Sequence, residues 1–185
     1  ILMVAIQPMV WFLSWLNSLL PIPESVFKLE QMQTDVIEKY LTGDHSVLLT
    51  LFHVSLVPAV CEEILFRGYL LRIFQNKWGA RIAIVATGII FGCFHLRFMQ
   101  FIPLMVIGII LGYITWSAES IYPAMVAHLV NNGGSVLAVY AYPKSSFAEM
   151  SPEAMPPVTL VIVSLVLSGY LLYLLSRYKT QSQLA

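Results

Sequence analysis

The chain has 185 residues, of which 58% are hydrophobic and 11% charged, with ten Lys and Arg balanced by ten Asp and Glu. A soluble domain runs about 45–50% apolar and about 25% charged, so this composition excludes an ordinary water-facing surface and reads as an integral, multi-pass membrane protein. Zero net charge without a basic run leaves no electrostatic footprint for nucleic acid, and none is expected as a partner.

In chain order the hydrophobic pattern predicts an all-α, polytopic transmembrane helix bundle of about six spans, each near the about 20 apolar residues that cross a bilayer. The first, Ile1 to Leu20, is closed by Pro21 and Pro23; it opens in mid-hydrophobic sequence and reads as a longer protein trimmed at its N-terminus. Residues 22–45 interleave Glu24, Lys28, Glu30, Asp35, Glu38, Lys39 and Asp44 with Val26, Phe27, Leu29, Met32, Val36 and Ile37, the pattern of an amphipathic helix at the interface. The second span, Ser46 to Phe74, is longer than a bilayer and must tilt or protrude. It carries Glu62, Glu63 and Arg67, and Pro58 should kink it.

The third span, Ala80 to Leu96, ends in Phe91-Gly-Cys-Phe-His95, and the fourth, Phe98 to Ser117, holds Gly108 and Gly112 at a spacing suited to close helix packing. The fifth starts at Pro123 and runs through His128 to Asn131-Asn132-Gly133-Gly134; the sixth, Pro157 to Ser176, is uncharged and reads as a lipid-facing helix. The whole chain, 1–185, reads as one integral membrane domain. Alternating spans put Arg72, Lys77, Arg81, Glu119, Arg177 and Lys179 on one side, against the acidic segment, Arg97 and the 144–153 loop. The positive-inside rule then favours a cytoplasmic C-terminus.

Glu62, Glu63 and Arg67 sit where each charge costs about 2.5–3.5 kcal/mol on the insertion scale. Uncompensated, the three would consume a stability comparable to that of many whole domains, so they must be paired and face protein or trapped water. Glu63 and Arg67, four apart, share a helix face and can pair. Glu62 is rotated about 100° from Glu63, points elsewhere, and is the freer carboxylate and the candidate general base. The alternative is a buried ion-pair network that only fixes helix packing. His128 and Asn132, four apart on one face, offer donors that could hold an oxyanion, and His95 could help polarise a water. Each taken singly could instead be interfacial or interhelical hydrogen-bond glue. His53 has no recognisable spacing and reads as structural or as lining an entrance; Cys61 and Cys93 read as buried small hydrophobes, neither a disulfide framework nor a thiolate site.

Glu62-Glu63-x-x-x-Arg67, Phe91-x-x-x-His95 and His128-x-x-x-Asn132, in this order on successive spans, resemble the CAAX protease and bacteriocin-processing (CPBP/Abi) family of glutamate-type intramembrane endopeptidases. Arg67-Gly68-Tyr69-Leu70, Gly108 and Gly112, and Ser120-Ile-Tyr-Pro before His128 agree with it. The family-like core covers about 47–134. The resemblance implies cleavage of a peptide bond in a membrane-associated or secreted peptide or protein, with no metal and no cofactor, by a water that Glu62 and His95 activate. His128 and Asn132 would be the oxyanion pair, and Glu63 and Arg67 a supporting ion pair that orients the helix. Eukaryotic members trim prenylated CAAX proteins; others are associated with peptide maturation or bacteriocin immunity.

Counting from span ends, His95 falls near one surface, Glu62 near the middle and His128 nearer the other, so kinks must bring them level. Three other readings stand beside the protease. A non-catalytic peptide-binding or bacteriocin-immunity protein would keep the pocket without chemistry. A zinc metalloprotease would use the His and Glu side chains as ligands, although no H-E-x-x-H helix is present. A proton-coupled transporter would use them as titrating groups, and would be supported by inverted repeats.

Overall fold

The computed structural model describes residues 1–43, 46–141 and 154–182, with side chains through Tyr178. Asp44, the 144–153 loop and the side chain of Lys179, all used in the sequence argument, lie outside the described residues.

Among the described residues every regular element is helical. The chain forms α1 (Leu2–Ala5), α2 (Gln7–Ser18), α3 (Glu24–Leu41), α4 (Val47–Trp78), α5 (Ala80–Phe94), α6 (Phe101–Ala118), α7 (Tyr122–Ala141) and α8 (Val158–Ser182), with a short 3₁₀ turn, Phe98–Gln100, leading into α6. Three helical stretches are long and apolar enough to cross a membrane: Val47–Trp78, Phe98–Ala118 and Val158–Tyr178. α5 is apolar but has 15 residues. The stretch expected as one first span is divided between α1 and α2. There the Ser164 hydroxyl donates to the Ala5 carbonyl at 2.7 Å and accepts from the Met9 amide at 3.3 Å, a side chain inserted into the helical ladder next to Pro8. Ser164 and Ser168 are buried, so α8 has a polar inner edge as well as its lipid-type outer face.

α4 is continuous through Pro58, but not regular. Two π-helical stretches, Phe52–Leu56 and Ile64–Leu70, interrupt its α-helical ladder. Its buried row runs Thr50, Ser55, Ala59, Glu63, Arg67 and Leu71, a step of five and then steps of four. The extra residue in the first step is the one a π-turn inserts. Without it, the polar row would rotate away from the partner helix by about 100°.

That partner is α7, whose buried Ala124, His128 and Val136 follow the same spacing. The pair is tied by polar contacts: the Thr50 and Tyr140 hydroxyls are 2.9 Å apart, and Ser55 Oγ donates to the Leu129 carbonyl at 2.8 Å. α5 and α6 make the most extensive helix contact, an antiparallel hairpin through Gly88 and Gly108. A Cβ on Gly88 would stand 2.4 Å from Ile109 Cγ1 and 2.8 Å from its backbone nitrogen, so the backbones meet where only glycine fits. The largest apolar cluster joins Met3 and Ile6 to Ile107, Ile110, Leu111 and Ile114 of α6 and Ala124 of α7. Outside it, Ile82, Val85, Ile89 and Phe94 of α5 are exposed, and so are Cys61 and Cys93. The cysteines were expected inside; they lie on the outer face, because in a membrane bundle apolar residues cover the outside as well as the core.

Candidate active site

The α5 row of inward residues explains where His95 goes. Ala83, Thr87 and Phe91 are buried at four-residue steps, and His95, the helix C-cap, is the next position on that row. Its Nδ1 lies 2.7 Å from the Phe91 carbonyl. A carbonyl only accepts, so Nδ1 carries the hydrogen and Nε2 of the neutral ring presents its lone pair.

That Nε2 stands 3.9 Å from Glu62 Oε2, and Nε2 of His128 stands 4.0 Å from the same oxygen. Residues that counting from the span ends set at three depths therefore converge on one oxygen. Glu62 Oε2 is buried and takes no hydrogen bond from any described residue. The Glu62 and His95 side chains keep 22% and 25% of their exposure, against 0% for Glu63; of the two acids, only the Glu62 side chain is partly exposed.

Glu63 is enclosed. Its Oε1 accepts from Arg67 Nη1 and from His128 Nδ1, both at 2.8 Å. Arg67, also fully buried, donates through Nη2 to the Gly108 carbonyl at 2.8 Å and lies over the Phe91 ring, 4.6 Å from its centroid. Phe91 thus touches the guanidinium and both imidazoles, at 4.6 Å from the His95 ring and 5.8 Å from the His128 ring.

The His128–Glu63 contact sets a tautomer as well. With Nδ1 donating to the carboxylate, Nε2 of the neutral ring accepts, and Asn132 Nδ2 donates to it at 3.2 Å. The same Nδ2 donates to the Val54 carbonyl at 3.2 Å. Pro58, four residues after Val54, has no N–H to offer that carbonyl, which accepts from Asn132. Both hydrogens of the Asn132 amide are therefore engaged.

Some of the network had no sequence signal. Asn131 Nδ2 donates to Asn132 Oδ1 at 3.1 Å, and Gln7 Nε2 donates to Asn131 Oδ1 at 3.1 Å. Adjacency to Asn132 could have flagged Asn131; nothing in the pattern pointed to Gln7 or to the Gly108 carbonyl. His53 is exposed and apart from this cluster, with Nδ1 2.6 Å from the Tyr40 hydroxyl. Among the described residues no group of three His, Cys, Asp or Glu side chains is arranged to hold a metal ion.

Residues 44–134 match the family described as type II CAAX prenyl endopeptidase, Rce1-like. No curated protein and no solved structure matches the chain.

Proposed function

Because the segment 44–134 belongs to the Rce1-like family of type II CAAX prenyl endopeptidases, and three apolar helices make the chain an integral membrane protein, we propose that it hydrolyses a peptide bond of a membrane-associated peptide or protein by glutamate chemistry. The observation that carries this reading is the free Glu62 Oε2 with an imidazole Nε2 at 3.9 Å and another at 4.0 Å. A separation of that size suits one bridging water better than a direct hydrogen bond. Glu62 takes a proton from the water, helped by the His95 lone pair, while the water oxygen bonds to the substrate carbonyl carbon. The carbon–nitrogen bond then breaks, and the amine leaves with the proton that Glu62 returns.

His128 and Asn132 are the proposed oxyanion donors. In the resting arrangement Asn132 gives its hydrogens to Val54 and His128, so the substrate oxygen must take one of these over; His128 can donate through Nε2 only as the imidazolium, whose Nδ1 charge faces Glu63. Glu63 and Arg67 are proposed as the support that holds His128. The catalytic core spans about 47–134 within a single membrane domain, 1–185. We further propose that α5, α7 and the α1–α2 stretch complete a six-span bundle, that 22–45 lies at the interface, and that the C-terminus is cytoplasmic. Prenylated CAAX peptides are the substrate type that the family name suggests.

The test compares the termini of membrane and secreted peptides from cells carrying the wild-type chain and cells carrying Glu62→Ala at matched expression. A peptide cut only by the wild type establishes the protease and identifies its substrate. Identical termini, in cells where Glu62→Ala still changes phenotype, would move the reading to peptide binding.

A further inference from the structure

His95 opens the chain reversal between α5 and α6, and that reversal is strained. Leu96 adopts φ 53°, a left-handed conformation that a leucine keeps only when its surroundings hold it. The start of α6 has no local cap either, since Gln100 at its N-cap makes no side-chain bond to it. Orphan N–H groups at a helix start need acceptors. Here they come from residues 85 and 69 positions earlier in the chain.

Asn17, on α2, accepts from the Ile102 amide at 2.8 Å and donates to the Phe98 carbonyl at 2.7 Å. Glu30, on α3, accepts from the Met99 amide with both oxygens, at 3.1 and 3.0 Å. Both side chains are buried, at 1% and 2% exposure, although α3 is otherwise a polar, outlying helix. A third tie runs from Arg97 Nη2 to Thr34 Oγ1 at 3.3 Å. Burial lowers the Arg97 pKa from its ordinary value, and the nearby Glu30 charge raises it in part. An acid buried on a sparsely packed helix is expensive unless it is matched; Glu30 has the Arg97 charge nearby and turns both oxygens to one backbone amide, four residues after His95.

We infer that Asn17 and Glu30, from two helices outside the family-matching segment, are positioning residues for His95: they cap the 96–102 reversal in trans and so hold the imidazole Nε2 toward Glu62. The inference rests on the proposed role of His95 as the partner of Glu62. The matching segment is therefore incomplete as a catalytic unit, and the helices before it supply the grip on one of its two water-activating groups. Glu30→Gln keeps an acceptor for the Met99 amide, whereas Glu30→Ala removes it. Asn17→Asp keeps the acceptor for Ile102 and loses the donor to Phe98.

The experiment uses the full chain in lipid nanodiscs for hydrogen exchange, and the same variants in cells for the terminus comparison. Glu30→Ala should raise amide exchange at 98–102 at least tenfold and slow cleavage at least tenfold. Glu30→Gln should bring both back to within about threefold of wild type, and Asn17→Asp should fall between. Rescue by Gln is the result that a general loss of folding does not produce. Faster exchange spread across all of α5 and α6, cleavage within twofold of wild type in Glu30→Ala, or equal losses in the Ala and Gln variants would each overturn the inference. If wild type and Glu62→Ala give the same termini, the protease reading falls instead. Exchange then decides the clamp: a rise confined to 98–102 supports it, and no change overturns it.

Discussion

Glu63 concentrates two donors on one oxygen: Arg67 and His128 both meet Oε1, while Oε2 is buried without a hydrogen bond from any described residue. Removing the carboxylate leaves Arg67 fully buried against the Gly108 carbonyl and the Phe91 ring, with no counter-charge in contact. Breaking one side of a buried pair costs about 3–5 kcal/mol, so Glu63→Ala should lower the thermal unfolding midpoint in detergent as well as activity. An unchanged midpoint would mean that Arg67 finds another partner. Asn132→Ala should reduce turnover by about 10²–10³ if the amide holds the oxyanion, with a smaller effect on unfolding than Glu63→Ala, since it frees neutral partners, the Val54 carbonyl, His128 Nε2 and Asn131 Nδ2, and leaves no buried charge unpaired. The four-residue spacing made the Glu63–Arg67 contact legible in the sequence. The grip of Glu63 on His128 was not, because it joins positions 65 apart and depends on how α4 meets α7.

At the scale of elements, the α5–α6 hairpin is the scaffold under Arg67. Gly88 and Gly108 bring the two backbones together, and the Gly108 carbonyl is the acceptor for Arg67 Nη2. Gly88→Ala would drive a methyl into the Ile109 backbone; overpacking of this kind costs about 1–3 kcal/mol, and the displaced carbonyl should also weaken the ion pair. The expected outcome is a lower unfolding midpoint with reduced cleavage, whereas Gly134→Ala, inside α7 with open space around its Cβ, should not lower the midpoint. The borders of α5 and α6 and the start of α8 were readable within three residues from the apolar runs, whereas α8 continues six residues beyond its expected end. The π-turns of α4 were not, because an inserted residue changes the phase of a helix without changing its composition.

At the scale of the molecule, the charge asymmetry and the chemistry each give a test. The proposed six-span topology puts Arg72, Lys77, Arg81 and Arg177 on the cytoplasmic side; under that proposal green fluorescent protein fused to the C-terminus should fluoresce, and alkaline phosphatase fused there should be inactive. The proposed water activation uses the Glu62 carboxylate and the His95 imidazole without a metal. Cleavage by purified protein should therefore survive EDTA; loss that zinc restores would transfer the reading to a metal enzyme.

The sequence alone determined that this chain belongs in a membrane, that it is helical, and that Glu62, Glu63, Arg67, His95, His128 and Asn132 are unusual where they stand. Hydrophobic length and the cost of intramembrane charge are local properties, and they are written in the order of residues. Tertiary structure alone decided that two imidazoles meet at one Glu62 oxygen, that Pro58 leaves a carbonyl for Asn132, and that Asn17 and Glu30 bond to the reversal after His95. Each of these depends on the phase and depth at which separate helices pack, and no pattern within a single helix carries that information.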